Sequence, residues 1–198
     1  MASKPSNNFE KLPWFWIIAG PNGAGKSTWA NSEARTGILG NIPILNPDHF
    51  ASPYVTNPLS LIAAGKRIFN EIKNLTSKRQ NFAIETTLSG TQYFRIAEQL
   101  KKDGWAIGAI YIGVDGEDVC VSRVEERKLN GGHAVPLEDI IRRYSRSLNH
   151  IRQLLDLSDY MIIFDNSKKL KKLLEANQKE ILIEKEIPDW LKSVIESS

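Results

Sequence analysis

The stretch "GPNGAGKST" (Gly20 to Thr28) follows directly on the apolar run "LPWFWIIA", and that junction restricts the chain more than any other feature. A short run without a charged residue suits a strand buried on both faces of a parallel sheet. Gly20, Gly25, Lys26 and Ser27 fit the pattern G-x-x-x-x-G-K-[ST]. Its glycines permit positive φ and let backbone N–H groups curl around a phosphate chain. A helix starting at Lys26 would aim its N-terminal dipole at the same anion. The expectation is a strand, a phosphate loop and a helix in immediate succession, with a nucleoside triphosphate held in the loop. Gly20, Pro21, Asn22, Gly23, Ala24, Gly25, Lys26, Ser27 and Thr28 are then the candidate nucleotide-binding residues. Lys26 would reach the β- and γ-phosphates, and the Ser27 hydroxyl would take one Mg²⁺ position.

The rest of the chain alternates in the same way. Short apolar runs at Ile42 to Asp48, Phe82 to Thr87, Trp105 to Val114 and Tyr160 to Asp165 read as further strands. Between them, helical spacing covers Lys26 to about Arg35, Leu59 to about Ser77, Tyr93 to Lys102, Glu117 to about Asn130, and Leu137 to about Leu157 as one long basic helix. Alternating strands and helices argue for βαβ units around a parallel sheet. The expected architecture is α/β: a three-layer P-loop fold with a mostly parallel central sheet and a helical lid. With 198 residues, 41% hydrophobic, one domain with its own core accounts for the whole length. Residues 1–8 read as disordered, 130–137 as a lid loop broken by "GGHAVP", and 170–198 as a hairpin, or a strand, followed by a short helix.

Composition narrows the function classes. A single cysteine, Cys120, excludes an intramolecular disulfide framework and fits a reducing, cytoplasmic setting. With three histidines beside that cysteine, a structural zinc site is not expected. No apolar run approaches the roughly 18 residues that span a bilayer, so no membrane partner is expected. The net charge of +3 does not call for nucleic acid.

A triphosphate site does not separate hydrolysis from transfer. The strand ends carry that distinction, because ligands of open α/β sheets lie beyond the carboxyl ends of the strands. Asp48 in "ILNPDHF" is placed to accept the proton of an acceptor hydroxyl, as phosphoryl transfer to an alcohol requires. Glu85 in "AIETTLSG" is costly to bury without a partner and is expected to face the site, on Mg²⁺ through water or on a substrate hydroxyl. A hydrolase would use such a glutamate to activate water, so that alternative stays open. Thr86 and Thr87 add hydroxyls there, which strand packing explains equally well. Arg123 and Arg127 lie one helical turn apart; Arg142, Arg143 and Arg146 follow beyond the glycine loop. Arginines on both arms of a helix–loop–helix suit a lid that excludes water and supplies charge to a transferring phosphoryl group. His133 in the lid loop is a candidate substrate or phosphate contact.

Taken together, "GPNGAGKST", "NPDHF", "IETTLSG" and "RVEERKLNGGHAVP…IIRRYSRS" resemble the zeta-toxin superfamily of small P-loop kinases, over roughly residues 14 to 166. The likeness is to the bacterial branch called zeta-toxin-like or predicted ABC-type ATPase. The transporter-type label fits poorly, since "LSGTQ" only partly echoes the signature such ATPases need. The resemblance implies an ATP- and Mg²⁺-dependent kinase acting on a hydroxyl of a nucleotide sugar such as UDP-N-acetylglucosamine, or of a related metabolite. GTP stays open as an alternative donor. It implies Lys26 and Ser27 on phosphate and metal, Asp48 as catalytic base, and Glu85 on the sugar acceptor. Arg127 and Arg142 would lie on the transferring phosphate, with Arg123 on the nucleotide. It also implies that an antitoxin protein can block the enzyme. Two other readings remain beside it: a kinase for a polynucleotide 5′-hydroxyl, and a regulatory module that binds and slowly hydrolyses nucleotide.

Overall fold

The computed structural model describes residues 12–46, 58–131, 135–177, 180–184 and 186–196. Asp48, His49 and His133 lie outside the described residues. The elements follow the alternation expected from the sequence. They are β1 Trp14–Ala19, α1 Lys26–Thr36, β2 Ile44–Leu45, α2 Pro58–Ser77, β3 Phe82–Thr86, α3 Gln92–Lys102, β4 Ala106–Gly113 and α4 Glu117–Leu129. There follow α5 Leu137–Asn149, α6 Ile151–Leu157, β5 Tyr160–Asp165, β6 Lys171–Asn177, β7 Glu180–Ile183 and α7 Asp189–Glu196.

The strands form a seven-stranded sheet in the order β2-β3-β1-β4-β5-β6-β7. The first five are parallel to their neighbours, while β6 and β7 are added as an antiparallel hairpin at one end. β1 lies at the centre of the parallel part and carries no polar side chain, because it is covered from both faces. Its residues alternate accordingly. Phe15, Ile17 and Ala19 pack with Phe82, Ile84, Ile107 and Met161 under α2, α3, α6 and α7. Trp14, Trp16 and Ile18 pack with Ile110, Ile112 and Ile162 under α1, α4 and α5. The result is a three-layer α/β architecture with two cores separated by one sheet.

The single helix expected over Leu137 to Leu157 is two helices, broken at His150. Ile140 and Tyr144 of α5 belong to one core, whereas Ile151 and Leu154 of α6 belong to the other. A straight helix cannot bury residues against both faces of one sheet, so the chain must turn. His150 fixes the turn through its Nδ1, 2.7 Å from the Leu88 carbonyl, and through an edge-on contact with Phe94 at 5.5 Å. This break allows α5 to lie over the carboxyl ends of the strands while α6 returns to feed β5.

Candidate active site

Beyond the carboxyl end of β1 the chain turns through Gly20, Gly23 and Gly25, at φ of 143°, 74° and 94°. All three are held to glycine by positive φ and close approach: a Cβ on Gly20 would stand 2.1 Å from the Ile112 carbonyl of β4, one on Gly23 2.9 Å from the Cys120 carbonyl, and one on Gly25 2.6 Å from the Asn166 side-chain nitrogen. Lys26 is buried and its Nζ donates to the Pro21 carbonyl at 2.8 Å. The ammonium is thus drawn back over the loop, where it can exchange a backbone carbonyl for phosphate oxygens.

The neighbouring strand β3 brings Glu85 beside the start of α1. Its carboxylate is buried and accepts the Ser27 hydroxyl at 2.7 Å and the Asn46 side-chain amide at 3.0 Å. A carboxylate buried in this way requires such donors, and each oxygen has one. Because Ser27 donates its proton to Glu85, the lone pairs of its oxygen stay available to a cation. Thr86 turns its hydroxyl to the Leu88 backbone N–H (3.1 Å), stabilising the positive φ of 57° at Leu88.

Between the phosphate loop and α5 lies a cavity of about 400 Å³. Asn22, Lys26, Asn46 and Glu85 form its floor, and Thr87, Ser89, Gln92 and Tyr93 one wall. Arg142, Arg143 and Arg146 of α5 form the opposite wall. Four cationic side chains therefore face one carboxylate among the described lining residues, which makes the space suited to a polyanion. Asp139 pairs with both Arg142 and Arg143, at 2.5 and 3.2 Å, and holds their guanidinium groups in place. Arg146 has no ion-pair partner among the described residues. Asn22 places a buried Oδ1 with no hydrogen-bond partner among the described residues.

Of the arginines singled out from sequence, Arg142 lines this cavity and Arg127 does not. Arg127 sits exposed near the end of α4. Arg123 is directed to backbone: its guanidinium donates to the Gly23 carbonyl at 3.4 Å and to the Ser167 carbonyl at 3.0 Å. Sequence reasoning did not single out Asn46, Tyr93, Ser89 or Gln92. The i,i+3 and i,i+4 relation of Asp139 to Arg142 and Arg143 was the signal available for that pair. Cys120 lies under the loop, and burial pushes its thiol up to about 12 although Lys26 and Arg123 pull it down. It is a packing residue.

The complex AvrRxo1-ORF1:AvrRxo1-ORF2, solved with sulphate ions, superposes with a TM-score of 0.70 at 13% identity, covering 93% of this chain and 64% of that chain. The same pair solved with ATP gives 0.69 at 13% identity, over 89% of this chain and 62% of that one. The PezAT chromosomal toxin-antitoxin system of Streptococcus pneumoniae gives 0.67 at 18% identity, over 94% and 84%. At these identities the likeness is one of fold: these proteins share the α/β arrangement described above. This chain spans less than two thirds of the AvrRxo1 chains it matches. No family model matches it. In sequence it is 28% identical over 128 residues to an uncharacterized protein of Haemophilus influenzae, 64% of this chain and 88% of that protein.

Proposed function

We propose that the chain is an ATP- and Mg²⁺-dependent kinase of zeta-toxin type, which moves the γ-phosphoryl group to a hydroxyl of a small acceptor. The observation that carries this reading is the cavity itself. It joins the phosphate loop and Glu85 on one side to an arginine wall and a hydroxyl- and amide-bearing wall on the other. Holding a triphosphate alone requires neither wall. A second, polar molecule placed beside the γ-phosphate uses both.

The donor set suits magnesium. Ser27 and Glu85 are hard oxygen ligands 2.7 Å apart, and no described residues form a cluster of three or more acidic, cysteine or histidine side chains. Magnesium keeps several waters and takes the rest of its ligands from one or two protein oxygens and the phosphates, which fits such a sparse set. Bound there, it would neutralise charge on the β- and γ-oxygens. The chain's own residues supply the rest. The loop N–H groups and Lys26 hold the phosphates, Arg142 and Arg143 face the transferring group, and Glu85 orients Ser27. Asp48, two residues after Asn46 in the sequence, is assigned as the base that takes the acceptor's proton. Catalysis is then positioning and electrostatic stabilisation.

The solved neighbours with a toxin–antitoxin assembly support an antitoxin partner, and the ATP complex supports the donor. The acceptor is assigned to the nucleotide sugars or related phosphorylated metabolites, whose phosphates Arg146 is free to meet. Replacing Arg146 with alanine tests that assignment. It should raise KM for the acceptor at least tenfold, the loss of one charge-assisted contact, and leave KM for ATP within about twofold. A rise in KM for ATP alone would place Arg146 on the donor.

A further inference from the structure

Asn166 follows β5 directly, and two features of its surroundings are not explained by turn formation. Its backbone N–H donates to the Gly113 carbonyl at 2.8 Å, continuing the pairing with β4 and anchoring the residue in the sheet. From that anchor its side-chain amide reaches 142 positions back in sequence and donates to the Ala24 carbonyl at 2.9 Å. The amide fills the volume that a side chain on Gly25 would need. The loop glycine and Asn166 are therefore complementary parts of one contact.

We propose that Asn166 is a positioning residue of the phosphate loop, setting the peptide plane that presents the Gly25 N–H to the nucleotide. The reason is covalent. A trans peptide is planar, with its C=O and N–H pointing to opposite sides. Holding the Ala24 carbonyl toward Asn166 turns the Gly25 N–H away from Asn166. The preceding plane is held differently: the Ala24 N–H already donates to Pro21 at 3.3 Å, and the Gly23 carbonyl accepts from Arg123. Arg123 also donates to Ser167. Two side chains, one from α4 and one from the loop after β5, thus tie the same pair of loops together. In a glycine-rich segment, whose backbone has more freedom than any other, such ties reduce the ordering left for the ligand to impose.

The inference rests on reading residues 20–28 as a phosphate site, and the test separates the two. ADP is titrated calorimetrically into wild type, Asn166→Asp and Asn166→Ala, each checked for folding by circular dichroism. Aspartate keeps the size of asparagine but has no donor and sets a carboxylate against a carbonyl. The alanine variant covers the case in which the aspartate does not fold. Both variants should bind ADP about tenfold or more weakly than wild type, the scale of one lost hydrogen bond that orders a binding group. KM for ATP should rise by a similar factor while kcat stays within about twofold of wild type, the signature of lost uniform binding. Wild-type affinity in both variants would overturn the proposal. So would an aspartate variant equal to wild type beside a weak alanine variant, since the side chain would then only fill space. A wild type that does not bind ADP would remove the phosphate-site reading and the inference with it.

Discussion

Glu85 is the residue on which most of the site's geometry converges, because one buried carboxylate organises both Ser27 and Asn46. Glu85→Gln offers one acceptor oxygen in place of two and turns an amide toward a donor. A fall in kcat of about 10²-fold or more is expected, comparable to losing one preorganised polar contact in an active site. Metal-free ADP binding, measured by calorimetry, should change little; kcat within a few-fold of wild type would remove Glu85 from the machinery. Cys120 gives the contrasting case. The thiolate is the reactive form, so at pH 8 the folded chain should resist iodoacetamide and react fully only after denaturation. Labelling of the native chain at the rate of a free thiol would contradict its placement. The same shift has a sign for stability. Between its ordinary value of 9.0 and about 12, the unfolded chain has given up a proton that the folded chain keeps. Stability should therefore fall as pH rises through that window, and Cys120→Ala should flatten the decline in thermal-melt measurements. At this scale the phosphate loop was readable in sequence because its determinants lie within nine adjacent residues. Asn46 and Asn166 were not, because their partners are 39 and 142 positions away and an isolated asparagine has many ordinary uses.

Among the elements, the break between α5 and α6 governs where the arginine wall lies. Periodicity alone extends one helix to Leu157, since the polar and apolar spacing continues through His150. What interrupts it is a carbonyl 62 residues earlier and the need to place Leu154 on the face of the sheet opposite Ile140. Leu154 has no exposed surface, so Leu154→Ala should lower stability in urea unfolding by about 2–5 kcal/mol, as for other buried leucines. Arg152, two residues earlier, is paired with Asp156 on an exposed i,i+4 surface. Arg152→Ala should cost no more than about 0.5 kcal/mol. Equal effects at the two positions would contradict this placement of α6. β1, by contrast, was evident from composition, because a strand covered on both faces has no polar position to blur its ends. The two readings of the tail stayed open in the sequence; pairing of β6 with both β5 and β7 decides for a hairpin, and that depends on the edge β5 presents.

Taken whole, the molecule gathers the lining of the candidate cavity at the carboxyl ends of β1, β2 and β3 and lays α5 across it. Loops from distant parts of the sequence are held by hydrogen bonds as well as by burial of Ala24 and Leu88 in the two cores. Among the described residues no helix is long and apolar enough to cross a membrane. The α/β architecture followed from alternation of short apolar runs with helical spacing, a pattern spread over the entire chain and insensitive to any one residue. Chemistry is harder to read, because hydrolysis and transfer use the same phosphate loop and differ in what stands beyond the γ-phosphate. The measurement that addresses this most directly follows label from γ-labelled ATP with Mg²⁺ and a panel of nucleotide sugars, nucleosides and oligonucleotides, for wild type and Asp48→Asn. The account predicts a labelled small acceptor with wild type, and transfer reduced by at least about 10²-fold in the variant, the scale of a lost general base. Label appearing only as inorganic phosphate, at the same rate in both proteins, would contradict it.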